Sequence, residues 1–298
     1  MNSVFKYLRL KSQPDKVATY PGSLGIDWLS RDSQLPITLK HINALPEKIK
    51  RRIYRNLLPP DILSRFGVHP ITWQGSDGEA RVRLRAQEGE GVAHLWAWAS
   101  NDPNDEFFRL EIADNAYDGI DIHLLLLNDP NSPRFQTDYD EAGNPTLFGT
   151  ARRNLAEEEH AMQAGLAPAQ IRNSLGGSQS VFKQIDAFLA TLGHQAYFLE
   201  PLTYASAWVF ERRGFAYVRG HKLMDDIHRE FQTGGRLDRA LDGSTPFRQS
   251  GQGRSVRGRA WAIQDGVLDA IGARWDNLRM IKQVGRNAGV ETFPGATY

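Results

Sequence analysis

Cysteine is absent from the 298 residues. That omission removes disulfides, thiolate nucleophiles, iron–sulfur ligation and thiolate zinc sites together. Any chemistry must therefore use oxygen, nitrogen or a bound cofactor. Long apolar runs are missing as well: the leucine run Leu124 to Leu127 is far too short to cross a bilayer. The stretch MNSVFKYLRLKSQPDK breaks its apolar residues with Lys6, Arg9 and Lys11, unlike the apolar core of a signal peptide. Nor is there an excess of either charge. Lys and Arg number 36 against 35 Asp and Glu, a net +1, so no global field draws the chain to nucleic acid or to an anionic membrane. A soluble, cytoplasmic protein without membrane association is expected, with nucleic acid disfavoured as a partner.

What is present is ordinary for a globular chain, 41% hydrophobic and 24% charged, and long enough for one large domain or two smaller ones. Residues 1–75 show helix and loop character without strand alternation. Their best helix is Pro46 to Leu58, with Ile49, Ile53, Leu57 and Leu58 at helical spacing. Lys48, Lys50, Arg51, Arg52 and Arg55 form its basic face, and Pro59-Pro60 ends it. From Glu79 the period falls to two. Ala80–Ala86, Val92–Ser100, Phe107–Ala113 and Ile120–Leu127 read as an antiparallel meander whose last strand is buried on both faces. Residues 134–153 offer a further hairpin around Gly143-Asn144. Its Asp138 and Asp140 lack the later acids of a calcium loop. Asn154 suits a helix N-cap ahead of Glu157, Glu158 and Glu159.

The chemistry-bearing stretch runs from Leu166 to Arg219. Arg172-Asn-Ser-Leu-Gly-Gly-Ser178 opens an amphipathic helix marked by Val181, Ile185, Phe188, Leu189 and Leu192, and Gly193 closes it. Consecutive backbone N–H groups at a glycine turn before a helix form an anion cradle suited to a phosphate-bearing cofactor. The strand QAYFL, a second helix from Thr203 or Tyr204 to Arg213, Gly214 and a strand from Phe215 follow. Loop, helix, strand, helix and strand make an α/β core unit.

This stretch resembles the GNAT acyltransferase superfamily, whose cofactor motif Arg/Gln-x-x-Gly-x-Gly/Ala holds the pyrophosphate of acyl-coenzyme A on backbone amides. Arg172 takes the first position, Leu175 replaces the first glycine, Gly177 matches the last and Gly176 adjoins it. Glu211-Arg-Arg-Gly-Phe215 resembles the family's Tyr-Glu-Lys-x-Gly-Phe block, with Phe210 in place of tyrosine. The resemblance implies a mixed α/β fold with a GNAT-like central, mostly antiparallel sheet flanked by helices. It divides the chain into an N-terminal extension (1–75), a core (76–230) with an insertion near 130–165, and a C-terminal extension (231–298) packed on the core. It further implies direct acyl transfer from acetyl-CoA or another acyl-CoA to the amine of a small molecule or peptide. Arg172, Leu175, Gly176, Gly177 and Ser178 would hold the cofactor, Glu200 would serve as base and Tyr204 as acid, and no metal is expected. The alternative is a non-catalytic GNAT-like ligand-binding or interaction protein, which the residues at 175 and 210 favour. A homo-oligomer is compatible with either.

Other clusters carry less. His221, Asp225 and His228 share one helical face, but three such ligands span about 10 Å along a helix, too far for one ion. Asp242 to Arg259 is a Gly/Ser/Arg-rich connection read as a solvated loop, and AWAIQDG after it reads as a strand.

Overall fold

The computed structural model describes residues 36–298, so the part of the N-terminal extension before Pro36 lies outside the described residues. Alternation builds the first four strands. β1 (Val82–Arg85), β2 (Val92–Trp98), β3 (Glu106–Asp114) and β4 (Ile120–Leu127) form an antiparallel meander. On β2, Ala93, Leu95 and Ala97 are buried while His94, Trp96 and Trp98 face the other way. The register carries this division to β3, where Leu110 opposes Leu95 and Glu111 opposes His94.

β5 (Ala196–Leu199) adds in parallel to β4 through three pairs, ending at Ile122 opposite Leu199. β7 (Arg279–Gln283) lies between β5 and β6 (Ala216–Arg219), antiparallel to both, so the order is β1-β2-β3-β4-β5-β7-β6. The fold is therefore mixed α/β, a mostly antiparallel open sheet flanked by helices. Residues 231–298, expected as a C-terminal extension packed on the core, supply the interior strand β7.

One face is covered by α1 (Leu39–Asn43), α2 (Glu47–Tyr54) and α5 (Ser178–Thr191). The Asn43 amide donates to the carbonyls of Glu90 and Val92 at 2.8 and 2.9 Å, and the Tyr54 hydroxyl donates to Asn43 at 2.6 Å. Tyr54 also stacks on Phe188 of α5 at 6.1 Å. Val181, Ile185, Phe188 and Leu189 of α5 are buried at the predicted spacing, each contributing about 1.5–3 kcal/mol through the apolar surface it removes from water. Polar groups lock this face: Asp186 of α5 accepts from the Tyr197 hydroxyl at 2.8 Å and from Lys282 Nζ at 2.7 Å, all three buried.

Two expectations need correction. Leu124 to Leu127 are half-buried, not enclosed on both faces, because β5 stops pairing at Ile122. AWAIQDG begins inside α9 (Val256–Gln264), which follows α7 (His221–Glu230) and α8 (Arg236–Arg239), instead of forming a strand. Ser255 caps that helix by accepting from Gly258 N, and Val256, Arg259, Ala260 and Ile263 turn to the interior at helical spacing.

The insertion is pinched off from the sheet. Chain leaving β4 at Asn128 returns at Ser174, where the two form an isolated bridge. Asp129 N donates to Asn173 O at 2.8 Å and Leu175 N to Leu127 O at 3.1 Å. Between these points, α4 (Leu155–Gln163) packs toward α9 through a separate apolar cluster of Ala161, Leu166, Phe247 and Trp261. Arg153 ties the two by bonding Glu158 and, at 3.0 Å, Asp265. In space, then, β4 runs directly into the glycine turn, although roughly 45 residues intervene in sequence.

Candidate functional site

Gly176 and Gly177 both take left-handed conformations, with φ of 76° and 74°, which glycine adopts without a Cβ penalty. Gly177 is also close-packed, since a Cβ there would stand 3.1 Å from Ile62 Cδ1 of α3 (Pro60–Arg65). It is the N-cap of α5 and provides no side chain to the helix start. The N–H groups of Gly177, Ser178, Gln179 and Ser180 consequently have no acceptor among the described residues. Four outward donors at the positive end of a 14-residue helix form a seat for an anion. Arg65 and Arg213 flank it, through Nη1 to Leu175 O at 3.3 Å and through Nε to Ser178 Oγ at 2.9 Å, and neither has an acidic partner among the described residues. Asp61 of α3 also approaches, accepting from the Ser180 hydroxyl at 3.1 Å.

The other two residues of the expected cofactor set are engaged elsewhere. The Arg172 guanidinium is buried and donates to the carbonyls of Pro130 at 2.8 Å, Asn104 at 3.3 Å and Ser132. It binds two loops to each other and does not reach into the cradle. Leu175 is buried, with its N–H on Leu127 O. It closes the pinch, so the glycine expected at 175 is unnecessary for that backbone path. Phe210, at the tyrosine position of the second block, packs edge-on against Phe182 at 6.0 Å. In the same block the buried Glu211 carboxylate accepts from the hydroxyls of Tyr217 and Thr292, each at 2.6 Å, which makes it a structural acid.

The parallel pairing of β4 with β5 stops at Ile122 and Leu199, where β5 ends. The first residue past it on β4 is His123 and the first on β5 is Glu200, both exposed. His123 sits in a register break: Ile112 opposes Ile122 while Glu111 opposes Leu124, leaving the histidine unpaired in the ladder. Glu200 accepts from Arg279 Nη1 at 3.2 Å and lies 3.8 Å from Arg219. Arg279 also holds both oxygens of Asp121 at 2.9 Å. The expected base therefore stands just beyond the end of the β4–β5 pairing, in a framework fixed by β7. His123 was not singled out from sequence. Its only trace there is the change from alternation to continuous leucine at that position in IDIHLLLL.

Tyr204, the expected acid, is the first residue of α6 (Tyr204–Arg212) and only 1% exposed. Its hydroxyl accepts from Arg259 Nη1 at 3.2 Å, and its ring meets Trp275 edge-on at 6.1 Å. Burial pushes its phenol above the ordinary value, offset in part by Arg259. This enclosure argues for a packing role. A surface groove of about 450 Å³ is lined by Glu159, Met162, Thr245 and Pro246 among others and lies against α4, away from the glycine turn. Comparison of the chain with protein-family models, curated proteins and solved structures returns no match. Among the described residues, no helix is long and apolar enough to cross a membrane.

Proposed function

We propose that the protein is an acyl-CoA-dependent N-acyltransferase built on a GNAT-like core. One observation carries the reading: β4 runs on past its last pair with β5 at Ile122 to the pinch at Asn128 and Ser174, so its unpaired length leads from the end of that pairing to the N-terminal amides of α5. The diphosphate of the acyl-CoA takes the amides of Gly177, Ser178, Gln179 and Ser180, with Arg65 and Arg213 beside them. The thioester arm then runs along that unpaired length, where the half-buried leucines of β4 supply an apolar wall.

Where the pairing ends, Glu200 receives the acceptor's ammonium by hydrogen bond and His123 takes its proton. The freed amine nitrogen attacks the thioester carbonyl carbon, the carbon–sulfur bond breaks, and the surplus proton on that nitrogen passes through water to the departing thiolate, leaving an amide and free coenzyme A. Tyr204 has no part in this sequence. The acceptor is an amine of a small molecule or peptide.

Calorimetry with acetyl-CoA and a thiol-release assay over a panel of amines test the reading. Saturable binding at micromolar to low millimolar concentration with amine-dependent thiol release is expected. Absence of binding at millimolar concentration would overturn it. Binding with no thiol release from any amine would instead support the non-catalytic ligand-binding alternative, which Phe210 at the tyrosine position favours.

A further inference from the structure

The insertion carries a backbone arrangement that its position does not require. Leu147 and Phe148 have φ of 51° and 61° and are followed by Gly149 at 80°, three successive left-handed residues of which only one is glycine. For a residue with a Cβ this conformation costs about 1–2 kcal/mol, and it persists only where the surroundings determine it. They do so here. Buried Thr146 donates through its N–H to Asp138 O at 2.9 Å and through its hydroxyl to Thr137 O at 2.8 Å. The Thr150 hydroxyl closes on Leu147 O at 2.6 Å, and Gln264 of α9 donates to Gly149 O at 3.0 Å.

A tip held this firmly presents its side chains to solvent. Leu147 is 60% exposed and Phe148 36%. Tyr139 at 44% and Leu155 at 55% share the corner, since Tyr139 bridges Pro145 and its carbonyl takes the amide of Asn154. Glycine at 147 and 148 would remove the strain, and neither residue belongs to the buried apolar clusters. What the strained turn retains is the exposed apolar surface.

We propose that this corner is a two-fold interface between two copies of the chain, with Leu147 and Phe148 as its centre. The surrounding charge suits that occupant. Residues 134–153 hold Arg134, Arg152 and Arg153 against Asp138, Asp140 and Glu141, a neutral mixture with none of the cationic excess that an anionic lipid surface or a nucleic acid demands. Glu141 makes no ion pair among the described residues, and the exposed Arg152 makes only a loose one, 3.6 Å from Asp140. A two-fold axis offers each of these opposite charges its counterpart on the other copy while apolar surface meets apolar surface.

Sedimentation velocity of the full chain across the micromolar range tests the proposal. The wild type is expected to form a dimer. Replacing Leu147 and Phe148 together by glycine should raise the dimer dissociation constant by about 30-fold or more, with the melting temperature unchanged or higher. Glu141→Arg alone should weaken the dimer, and adding Arg152→Glu should restore it, an outcome that a purely structural role for these side chains does not produce. A wild type that stays monomeric overturns the proposal. So does a glycine variant that dimerises as well as the wild type, or, should that variant fail to fold, a charge exchange without weakening and rescue.

Discussion

Substituting Gly176 by aspartate places a negative charge at the cradle with little other disturbance. A Cβ at Gly176 meets nothing within 4 Å, whereas one at Gly177 meets Ile62. The φ of 76° strains most residues, but aspartate and asparagine tolerate it better than others. Gly176→Asn therefore imposes nearly the same backbone cost without the charge, and the difference between the two variants isolates electrostatics. A carboxylate about 6 Å from a phosphate opposes it by about 3 kcal/mol at an effective dielectric of about 20, and by about half that at this exposed turn. Acetyl-CoA affinity should then fall by about 10- to 100-fold for Gly176→Asp relative to Gly176→Asn, with less separation in high salt. Titration calorimetry on both variants, with melting temperatures as the folding control, reads this directly. Equal affinities at low salt in two folded variants would refute the placement of the diphosphate on these amides.

Other expectations bear on separate parts of the molecule. His123→Ala should lower kcat by about 100-fold or more with KM little changed, while Glu200→Gln should chiefly raise KM for the amine; identical effects on both constants would remove the division of roles. Tyr204→Phe should leave turnover within about twofold and lose about 1 kcal/mol of stability with the Arg259 hydrogen bond, and a large loss of kcat would return the tyrosine to the chemistry. Asp186→Ala strands Lys282 in the interior and should cost about 3–5 kcal/mol in denaturant unfolding; a double replacement by Leu at 186 and Met at 282 should recover most of it. Burial holds the His194 ring below its ordinary value of 6.5, with Nε2 on Ile37 O at 3.0 Å. The unfolded chain therefore binds this proton first as pH falls, so the contribution of His194 is whole above about pH 6.5 and is lost progressively below it. Urea midpoints should drop more steeply from neutral to acid pH in the wild type than in His194→Gln, and parallel slopes would contradict this.

Much of the fold was legible locally. Alternation located β1 to β4, and the spacing of Val181, Ile185, Phe188 and Leu189 located α5 together with its glycine start. The elements that escaped sequence reading depend on distant partners. β7 is five residues whose place between β5 and β6 is decided by pairing, to which its own sequence gives no clue. The pinch rests on backbone bonds between residues 127–129 and 173–175, which any side chains there would permit. For the candidate site, residue type led to Gly176, Gly177 and Glu200, but type alone does not reveal engagement. Arg172 was read as a phosphate ligand because it is an arginine beside a glycine turn, yet three carbonyls of other loops take its donors. His123 escaped because a register break shows in sequence only as one polar residue where a run changes period.

The interior position of β7 also orders events during synthesis. About 60 residues separate the end of β6 from the start of β7, so at translation rates of about 5–20 residues per second the two strands that flank it wait several seconds for their shared partner. Through that interval β6 has no strand to pair with and one side of β5 stands open, an edge of the kind that recruits other chains. Until residues 279–283 arrive, Arg279 is also missing from between Asp121 and Glu200, so the sheet and the mouth of the candidate site are completed by the same late step.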